Sequence, residues 1–145
     1  MTVTFFGHRD VPDMIEKTLA KTVEDMILVE RADTFYVGNH GNFDRIVTTV
    51  LKKAQQKYPY IKCYTVLSGM PTTQQRQFTL ETLLPTEVVQ SHYKAKINKR
   101  NLWMIAKSDT IVTYVCTSFG GAAKFRSIAI RQGKRVIDLY HGEEK

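Results

Sequence analysis

Strand-like and helix-like segments alternate along this chain, and the alternation restricts its fold more than any other feature of the sequence. Short runs of β-branched and aromatic residues, typical of strands, occur at residues 3–6, 34–37, 61–67, 110–115 and 135–139. Amphipathic periodicity predicts helices over residues 11–30, 42–58, 97–107 and 121–132. Strands that alternate with amphipathic helices are typical of parallel sheets. The pattern therefore predicts an α/β fold, a parallel sheet of about five strands with helices on both faces.

The segment over residues 72–95 follows neither pattern. It is polar, contains Pro85, and has the composition of a strand only over residues 87–89. Long excursions of this kind in a compact domain are often lids or binding loops. We therefore expect one short strand at residues 87–89 within a lid or binding loop.

Length and composition agree with one folded domain over residues 1–145. The 43% hydrophobic and 24% charged residues are close to the average of globular proteins. No apolar run approaches the roughly 20 residues that cross a bilayer, and the first residues lack the features of a signal peptide. We expect a cytoplasmic protein without membrane contact, in which Cys63 and Cys116 are reduced and mostly buried.

The chain is basic, with a formal net charge of +7 and a pI of about 9.5. Such a charge is compatible with binding to a polyanion. Much of the excess comes from Lys94, Lys96, Lys99, Arg100, Lys124, Arg126, Arg131, Lys134 and Arg135. A basic patch and scattered, solvated side chains on helix surfaces both account for this composition.

The loops that follow the strands meet at one edge of the predicted sheet. Ligands of such sheets bind outside the carboxyl ends of the strands, where the strand order reverses. The sequence places four loops at this edge, at residues 7–10, 38–44, 68–76 and 116–123. These loops are predicted to be neighbours in space and to form the ligand site.

Two of these loops have the composition of phosphate-binding turns. Glycines let the backbone approach an oxyanion, and the helix that follows directs unpaired N–H groups towards it. The candidate residues are Gly38, Asn39, Gly41, Asn42, Gly120 and Gly121. Glycine is also common at strand-to-helix turns for steric reasons alone, so a structural role stays open for each loop.

Gly7, His8 and Arg9 leave the first strand at the same edge. An arginine offers a charged, planar fork to a phosphate, and a histidine can donate a hydrogen bond or transfer a proton. The alternative for the arginine is a structural ion pair with one of three aspartates, Asp10, Asp13 or Asp44.

Asp44, near the start of the second predicted helix, has three interpretations. Its carboxylate could accept hydrogen bonds from ribose hydroxyls, hold Arg9 in place, or offset the dipole of the helix. His40, His92 and His141 lack the spacing and the partner carboxylates of a metal site. The sequence therefore predicts no metal site and indicates no cofactor.

Ordered motifs along nearly the whole chain resemble one known superfamily. They are F-F-G-H-R-D at 5–10, Y-V-G-N-H-G-N-F-D at 36–44, N-K-R-N-L-W-M-I-A-K-S-D at 98–109, S-F-G-G-A-A-K-F at 118–125 and I-R-Q-G-K-R-V-I-D-L at 130–139. In this order they resemble the SLOG superfamily, which comprises the Smf/DprA proteins, the LOG proteins and the YpsA-like families of unknown function. The chain is most similar to the YpsA-like families.

The resemblance implies a Rossmann-like fold with a pocket for nucleotides or nucleotide-derived ligands. It assigns to the binding edge Gly7, Arg9, Gly38, Gly41, Asp44, Gly120 and Gly121. LOG enzymes, which remove ribose phosphate from cytokinin nucleotides, carry the pattern P-G-G-x-G-T-x-x-E. The matching passage here is F-G-G-A-A-K-F-R, without the catalytic glutamate of that activity.

The leading hypothesis is a nucleotide-binding sensor or ligand-binding domain, and we expect it to be a homo-oligomer. Its partner would be a nucleotide or another nucleotide-derived phosphorylated small molecule. Hydrolysis of a nucleoside phosphate is one alternative, with no catalytic residue assigned and an acid or base drawn from His8, Asp10, Asp44, Glu81 or Glu87. Binding of DNA, as in the DprA branch, is the other alternative and is favoured by the positive charge.

Overall fold

The computed structural model describes residues 1–70 and 79–141. In chain order the elements are β1 (Thr2–Gly7), α1 (Ile15–Leu28), β2 (Thr34–Val37), α2 (Gly41–Lys57), β3 (Lys62–Val66), β4 (Glu81–Leu83), α3 (Thr86–Val89), α4 (Lys96–Lys107), β5 (Thr110–Tyr114), α5 (Gly121–Arg131) and β6 (Arg135–Asp138). A single 3-10 turn, Tyr93–Ala95, leads directly into α4.

The strands form one parallel sheet in the order β4-β3-β2-β1-β5-β6. The chain builds outward from β1 through β2, β3 and β4, and then returns to place β5 on the other side of β1. The strand order therefore reverses between β1 and β5, where Gly7 lies opposite Tyr114. The predicted α/β fold is confirmed, and the described residues contain six strands rather than about five.

Helices cover both faces of the sheet. Successive side chains of β1 point to opposite faces, so neighbouring residues of this strand pack against different helices. Phe5 packs beneath α1 and α2, where its ring stacks on Phe35 with centroids 6.3 Å apart. Phe6 points to the face of α4 and α5, where its ring stacks on Phe125 at 5.6 Å. Two apolar layers, one on each side of β1, hold the edge of the sheet in a fixed position.

The described part of the segment over residues 72–95 differs from the prediction. Residues 87–89 belong to the short helix α3, and the additional strand is β4, which pairs with β3. Pro85 directly precedes α3 and has an extended backbone, with φ −64° and ψ 143°. The strand β4 has only three residues and lies at the edge of the sheet, where it pairs with β3 alone. Its residues are mostly exposed, so its sequence lacks the apolar pattern of a buried strand. Residues 72–78 lie outside the described residues.

The starts of α1 and α2 also differ from those predicted. Helix α1 begins at Ile15 rather than at residue 11, after a turn in which the Ile15 N–H donates to the Pro12 carbonyl at 3.1 Å. Helix α2 begins at Gly41, one residue earlier than predicted. The side-chain amide of Asn42 donates to the Val11 carbonyl at 2.9 Å and so ties the start of α2 to the loop before α1.

The two cysteines occupy different environments. Cys63 in β3 is 2% exposed, and burial raises the pKa of its thiol to about 12. Cys116 follows β5 at the edge of the sheet and is exposed, so the prediction that both thiols are mostly buried is wrong for Cys116. Both thiols are free. Within residues 1–70 and 79–141, no helix has the length and apolar character needed to cross a membrane.

Candidate functional site

A cleft of about 350 Å³ opens beside β1 at the carboxyl edge of the sheet, and we call it the β1 cleft. The loop after β1, the start of α2, one face of α4 and the first turn of α5 form its walls. The lining residues are Phe5, Phe6, Gly7, His8, Arg9, His40, Asp44, Ile97, Arg100, Asn101, Met104, Gly121, Ala122 and Phe125. The cleft therefore lies where the strand order reverses, which is the usual ligand site of such sheets.

The structure brings together only part of the predicted site. Five predicted residues line the β1 cleft: Gly7, His8, Arg9, Asp44 and Gly121. Gly38 and Asn39 line a neighbouring cleft of about 270 Å³, which shares Asp44 as a wall. Gly41, Asn42 and Gly120 line neither cleft.

Gly41 and Asn42 hold the loop after β1 in place. Gly41 has φ +88°, and a Cβ atom there would lie 2.8 Å from the Cα of Arg9. The Asn42 N–H donates to the Arg9 carbonyl at 2.8 Å. The close approach requires glycine, so these two residues act on the cleft through the position of Arg9.

Gly7 and Gly38 make room for side chains. A Cβ atom on Gly7 would lie 2.3 Å from the ring of Phe43, and one on Gly38 would lie 2.8 Å from an Asp44 carboxyl oxygen and 3.1 Å from the Arg100 guanidinium. The absence of a side chain at Gly38 therefore lets Asp44 and Arg100 approach each other beneath the loop.

Arg100 is the main residue of the cleft that the sequence prediction missed. Its side chain is only 2% exposed. Its Nε donates to Asn101 Oδ1 at 2.7 Å, and its Nη1 donates to Asn39 Oδ1 at 3.1 Å and to the Val66 carbonyl at 3.0 Å. A guanidinium stays charged at such a site, so Arg100 supplies a fixed, buried positive charge to the cleft. The helical spacing of Arg100 and Met104 on the buried face of α4 was the signal in the sequence.

Arg9 supplies a second positive charge, at the mouth of the cleft. Its side chain is exposed, and it forms no ion pair within 4.0 Å among the described residues. Of the aspartates considered as its partners, Asp13 pairs with Arg45 at 3.5 Å. The ion-pair alternative for Arg9 therefore has no support in the geometry, and Arg9 lines the cleft.

Two histidines line the cleft in different states of hydrogen bonding. His8 accepts the Cys116 N–H through Nε2 at 2.9 Å, which fixes its ring against the loop after β5. His40 lies at the start of α2, and its Nε2 is buried without a hydrogen-bond partner among the described residues. Burial, with Arg100 and Arg9 nearby, lowers the pKa of His40 below its usual range. His40 was considered in the sequence only as a metal ligand, and the structure places it in the β1 cleft.

The first turn of α5 borders the cleft on the other side. Gly120 precedes the helix with φ +95°, a conformation that favours glycine, and Gly121 begins the helix. A Cβ atom on Gly121 would meet no atom within 4 Å. The N–H groups of this turn lie at the positive end of the helix dipole and favour an anion in the cleft.

Asp44 separates the two clefts and carries a perturbed carboxyl group. Burial raises its pKa to about 6, although the His40 N–H donates to its Oδ2 at 3.0 Å and Arg100 lies nearby. Since the ordinary value is 3.8, the charged form is disfavoured in the folded protein relative to the unfolded chain. Asp44 is therefore the carboxyl group of the site that titrates nearest to neutral pH.

We expect Asp44→Asn to stabilise the protein in a pH-dependent way. The wild-type protein loses stability as the pH rises from about 4 to about 6, because the folded state binds the proton of Asp44 more tightly than the unfolded chain. The partial exposure of the side chain reduces the full effect, so the variant should gain about 1 to 2 kcal/mol near pH 7 and nothing near pH 4. Urea unfolding across this range measures the gain.

The exposed residue Asp25 provides the control, since Asp25→Asn should change the free energy of unfolding by less than about 0.5 kcal/mol throughout. A gain for Asp44→Asn that is the same at pH 4 and pH 7 would contradict the raised pKa.

Comparison with known proteins supports the fold. No protein-family model and no curated protein matches this sequence. A solved structure of DNA processing protein A from Helicobacter pylori, reported with its single-stranded DNA binding mode, matches with a TM-score of 0.69 at 14% identity. DNA processing protein A (DprA) from Streptococcus pneumoniae matches with a TM-score of 0.68 at 13% identity.

The matches cover 97% and 94% of this chain but only 66% and 49% of the two DNA processing proteins, respectively. At this level of identity the likeness concerns the fold alone. It confirms the Rossmann-like architecture, and the structural neighbours belong to the Smf/DprA branch of the SLOG superfamily. The chain is thus an α/β domain with a six-stranded parallel sheet that shares its Rossmann-like fold with DNA processing protein A.

Proposed function

We propose that the protein binds a nucleotide, or another nucleotide-derived phosphorylated small molecule, in the β1 cleft as a sensor or ligand-binding domain. The observation that carries the proposal is the convergence of Arg9, Arg100 and the first turn of α5 on one cleft. Each of these groups attracts an anion, and together they surround a space at the position where such sheets bind ligands.

The size and the lining of the cleft suit a small ligand. A volume of about 350 Å³ lies within the range of roughly 300 to 1,000 Å³ found for ligand sites. Phe6, Ile97, Met104 and Phe125 provide apolar surface next to the charged groups. A phosphate would lie near the arginines, and an apolar base or sugar face would pack against these side chains.

The lining of the cleft offers few groups for catalysis. Of the acids and bases considered for hydrolysis, His8 and Asp44 line the cleft, whereas Asp10, Glu81 and Glu87 are exposed and do not. The sequence lacks the glutamate of the LOG pattern between Lys124 and Ser127. We therefore propose ligand binding as the primary function, in a domain nearest the YpsA-like families that forms a homo-oligomer.

Binding of single-stranded DNA is a second candidate function, and the structural comparisons favour it over the first. The matching protein from Helicobacter pylori binds single-stranded DNA. The net charge of +7 agrees with such a ligand. Lys124, whose Nζ donates to Asn98 Oδ1 at 3.1 Å, places a further positive charge between the first turns of α4 and α5. A strand could in this case lie along the edge and place one phosphate in the cleft.

The two candidates differ in how affinity depends on salt. Binding of AMP or ADP-ribose to one cleft should weaken modestly with salt, whereas binding of an oligothymidylate releases several counterions. We would titrate each ligand by calorimetry between about 50 and about 200 mM salt. A steep loss of affinity for the oligonucleotide, with no binding of either small molecule, would overturn the first candidate.

A substitution at Gly121 tests the location of the site. Because a Cβ atom there meets nothing within 4 Å, Gly121→Val should fold normally and place its side chain in the space for the ligand. We expect affinity for the bound nucleotide to fall about tenfold, as overpacking a filled site costs about 1 to 3 kcal/mol. Calorimetry measures the affinity, and the melting temperature without ligand verifies the fold.

Ser127 provides the control, since it is exposed on the same helix and does not line the β1 cleft. Ser127→Val should bind the nucleotide with unchanged affinity. Equal affinity in the Gly121→Val and wild-type proteins would place the ligand elsewhere.

A further inference from the structure

His40, which lines the β1 cleft, carries a polar atom whose environment the fold does not explain. His40 Nε2 is buried and has no hydrogen-bond partner among the described residues. A buried polar atom left without a partner costs about 1 to 3 kcal/mol, so its presence requires an explanation, and a functional role is one. His40 lines the same cleft as Arg9 and Arg100, and its backbone N–H is held by Asp44 at 3.0 Å. His40 therefore lies in the wall of the cleft where we place the phosphate.

The groups that face His40 set its charge. Arg9 and His8 approach from the loop after β1, Arg100 from α4 and Asp44 from α2 itself, while α5 contributes only uncharged residues to the lining. Burial and the two guanidinium groups lower the pKa of His40, so the free protein holds a neutral imidazole. Two negative charges placed in the cleft would oppose the effect of the two guanidinium groups and make protonation of the imidazole favourable.

We propose that His40 binds the terminal phosphate of the ligand and takes up a proton from solvent as it does so. The imidazole becomes an imidazolium, and the buffer supplies the proton. Together with Arg9 and Arg100, the imidazolium then forms a site for a dianion. The cleft therefore selects a phosphate monoester over a phosphodiester, which carries one negative charge and cannot drive the same protonation. The inference rests on the proposed function, because it assigns the ligand class of the same cleft.

Calorimetry with AMP and with its 5′-phosphate methyl ester tests this selection. The titrations are carried out slightly above neutral pH, where AMP already carries two negative charges because the second pKa of its phosphate is about 6. AMP can then release protons on binding but cannot take them up, so any uptake belongs to the protein. Titrations in two buffers of different ionisation enthalpy give the number of protons exchanged. We expect the wild-type protein to take up a fraction of a proton for each AMP bound and almost none with the methyl ester. It should bind AMP about tenfold more tightly than the methyl ester.

His40→Gln identifies the proton acceptor, because an amide keeps a hydrogen-bond donor and cannot be protonated in this range. Proton uptake should fall in this variant and persist in Asp44→Asn, which removes the carboxyl group of the cleft whose pKa is raised to about 6. The preference of His40→Gln for AMP over the methyl ester should fall below about threefold. His92, which is exposed and outside the cleft, provides the control, and His92→Gln should behave as the wild type. The ligand-free melting temperature of each variant verifies the fold.

The outcomes separate this inference from the proposed function. Unchanged proton uptake in His40→Gln, or equal affinity of the wild type for AMP and the methyl ester, would overturn the role of His40 while leaving the nucleotide site intact. Uptake that disappears in His8→Gln but persists in His40→Gln would also overturn it. Absence of binding for AMP, ADP-ribose and inorganic phosphate would overturn both proposals.

Discussion

Arg100→Met should lower the free energy of unfolding by about 3 to 5 kcal/mol. The methionine fills most of the volume of the arginine stem but leaves Asn39 Oδ1, Asn101 Oδ1 and the Val66 carbonyl without the donor that each has now. Buried polar groups that lose their partner each cost about 1 to 3 kcal/mol, and removal of a buried charge from its network is destabilising by several kcal/mol. Urea unfolding measures the loss, which corresponds to a fall in melting temperature of about 10 °C.

The neighbouring residue Lys99 provides the control for helix α4. It is exposed, so Lys99→Met removes a positive charge from the same turn and should change stability by less than about 0.5 kcal/mol. An Arg100→Met protein as stable as the wild type would mean that burying the guanidinium costs as much as its three hydrogen bonds contribute. In that case Arg100 would be kept for the ligand and not for the fold.

Arg9→Ala should weaken nucleotide binding by one to two powers of ten and leave the ligand-free melting temperature nearly unchanged. The side chain is exposed and makes no ion pair within the described residues, so little stability depends on it. A charge-assisted hydrogen bond to phosphate contributes about 1.5 to 3 kcal/mol, and each 1.4 kcal/mol changes affinity tenfold. Calorimetry with the nucleotide and a melting curve without it measure both quantities.

Arg131 lies at the other end of α5 and provides a control of equal charge. Arg131→Ala reduces the net charge by the same amount, so it shows how much of any loss is due to long-range attraction. A large fall in the melting temperature of Arg9→Ala, with the affinity of the folded protein unchanged, would refute the assignment of Arg9 to the ligand.

The sequence predicts the sheet well because its central strands are buried on both sides. The inner strands β1, β2, β3 and β5 are rich in β-branched and aromatic residues, which leaves little alternative, and the edge strand β6 contains Val136 and Ile137 between two charged residues. The edge strand β4 is different, since pairing with β3 stabilises a short polar segment that has no pattern of its own. Tertiary pairing decides such an element, and single-sequence periodicity does not contain that information.

The loops show that a glycine at the edge of the sheet can serve packing as well as a ligand site. Gly7 and Gly41 look like phosphate-binding glycines in the sequence, but the structure gives them packing roles against Phe43 and Arg9. Only the three-dimensional surroundings of a glycine distinguish one that approaches a ligand from one that approaches another loop. Gly121 both lines the β1 cleft and has open space around its Cβ position, so it could face a ligand directly.

Arg100 and His40 were missed for related reasons. Arg100 was considered only among basic residues of a surface patch or of solvated helix surfaces, although its helical phase placed it with Met104 and Ile105 on the buried face of α4. His40 was considered only as a possible metal ligand. The places of Arg100 and His40 in the site depend on the packing of α4 over the sheet. This packing brings α4 next to the start of α2, so that residues far apart in sequence line the same cleft.

The contrast between the two thiols makes the protein suitable for site-selective labelling without any substitution. The thiolate is the reactive form of cysteine, so the buried Cys63, with its pKa raised to about 12, should remain inert to a maleimide dye. Cys116 is exposed, and its backbone N–H is bound to His8 in the wall of the β1 cleft. A fluorophore attached at Cys116 would therefore lie at the mouth of the cleft and could report ligand entry in real time.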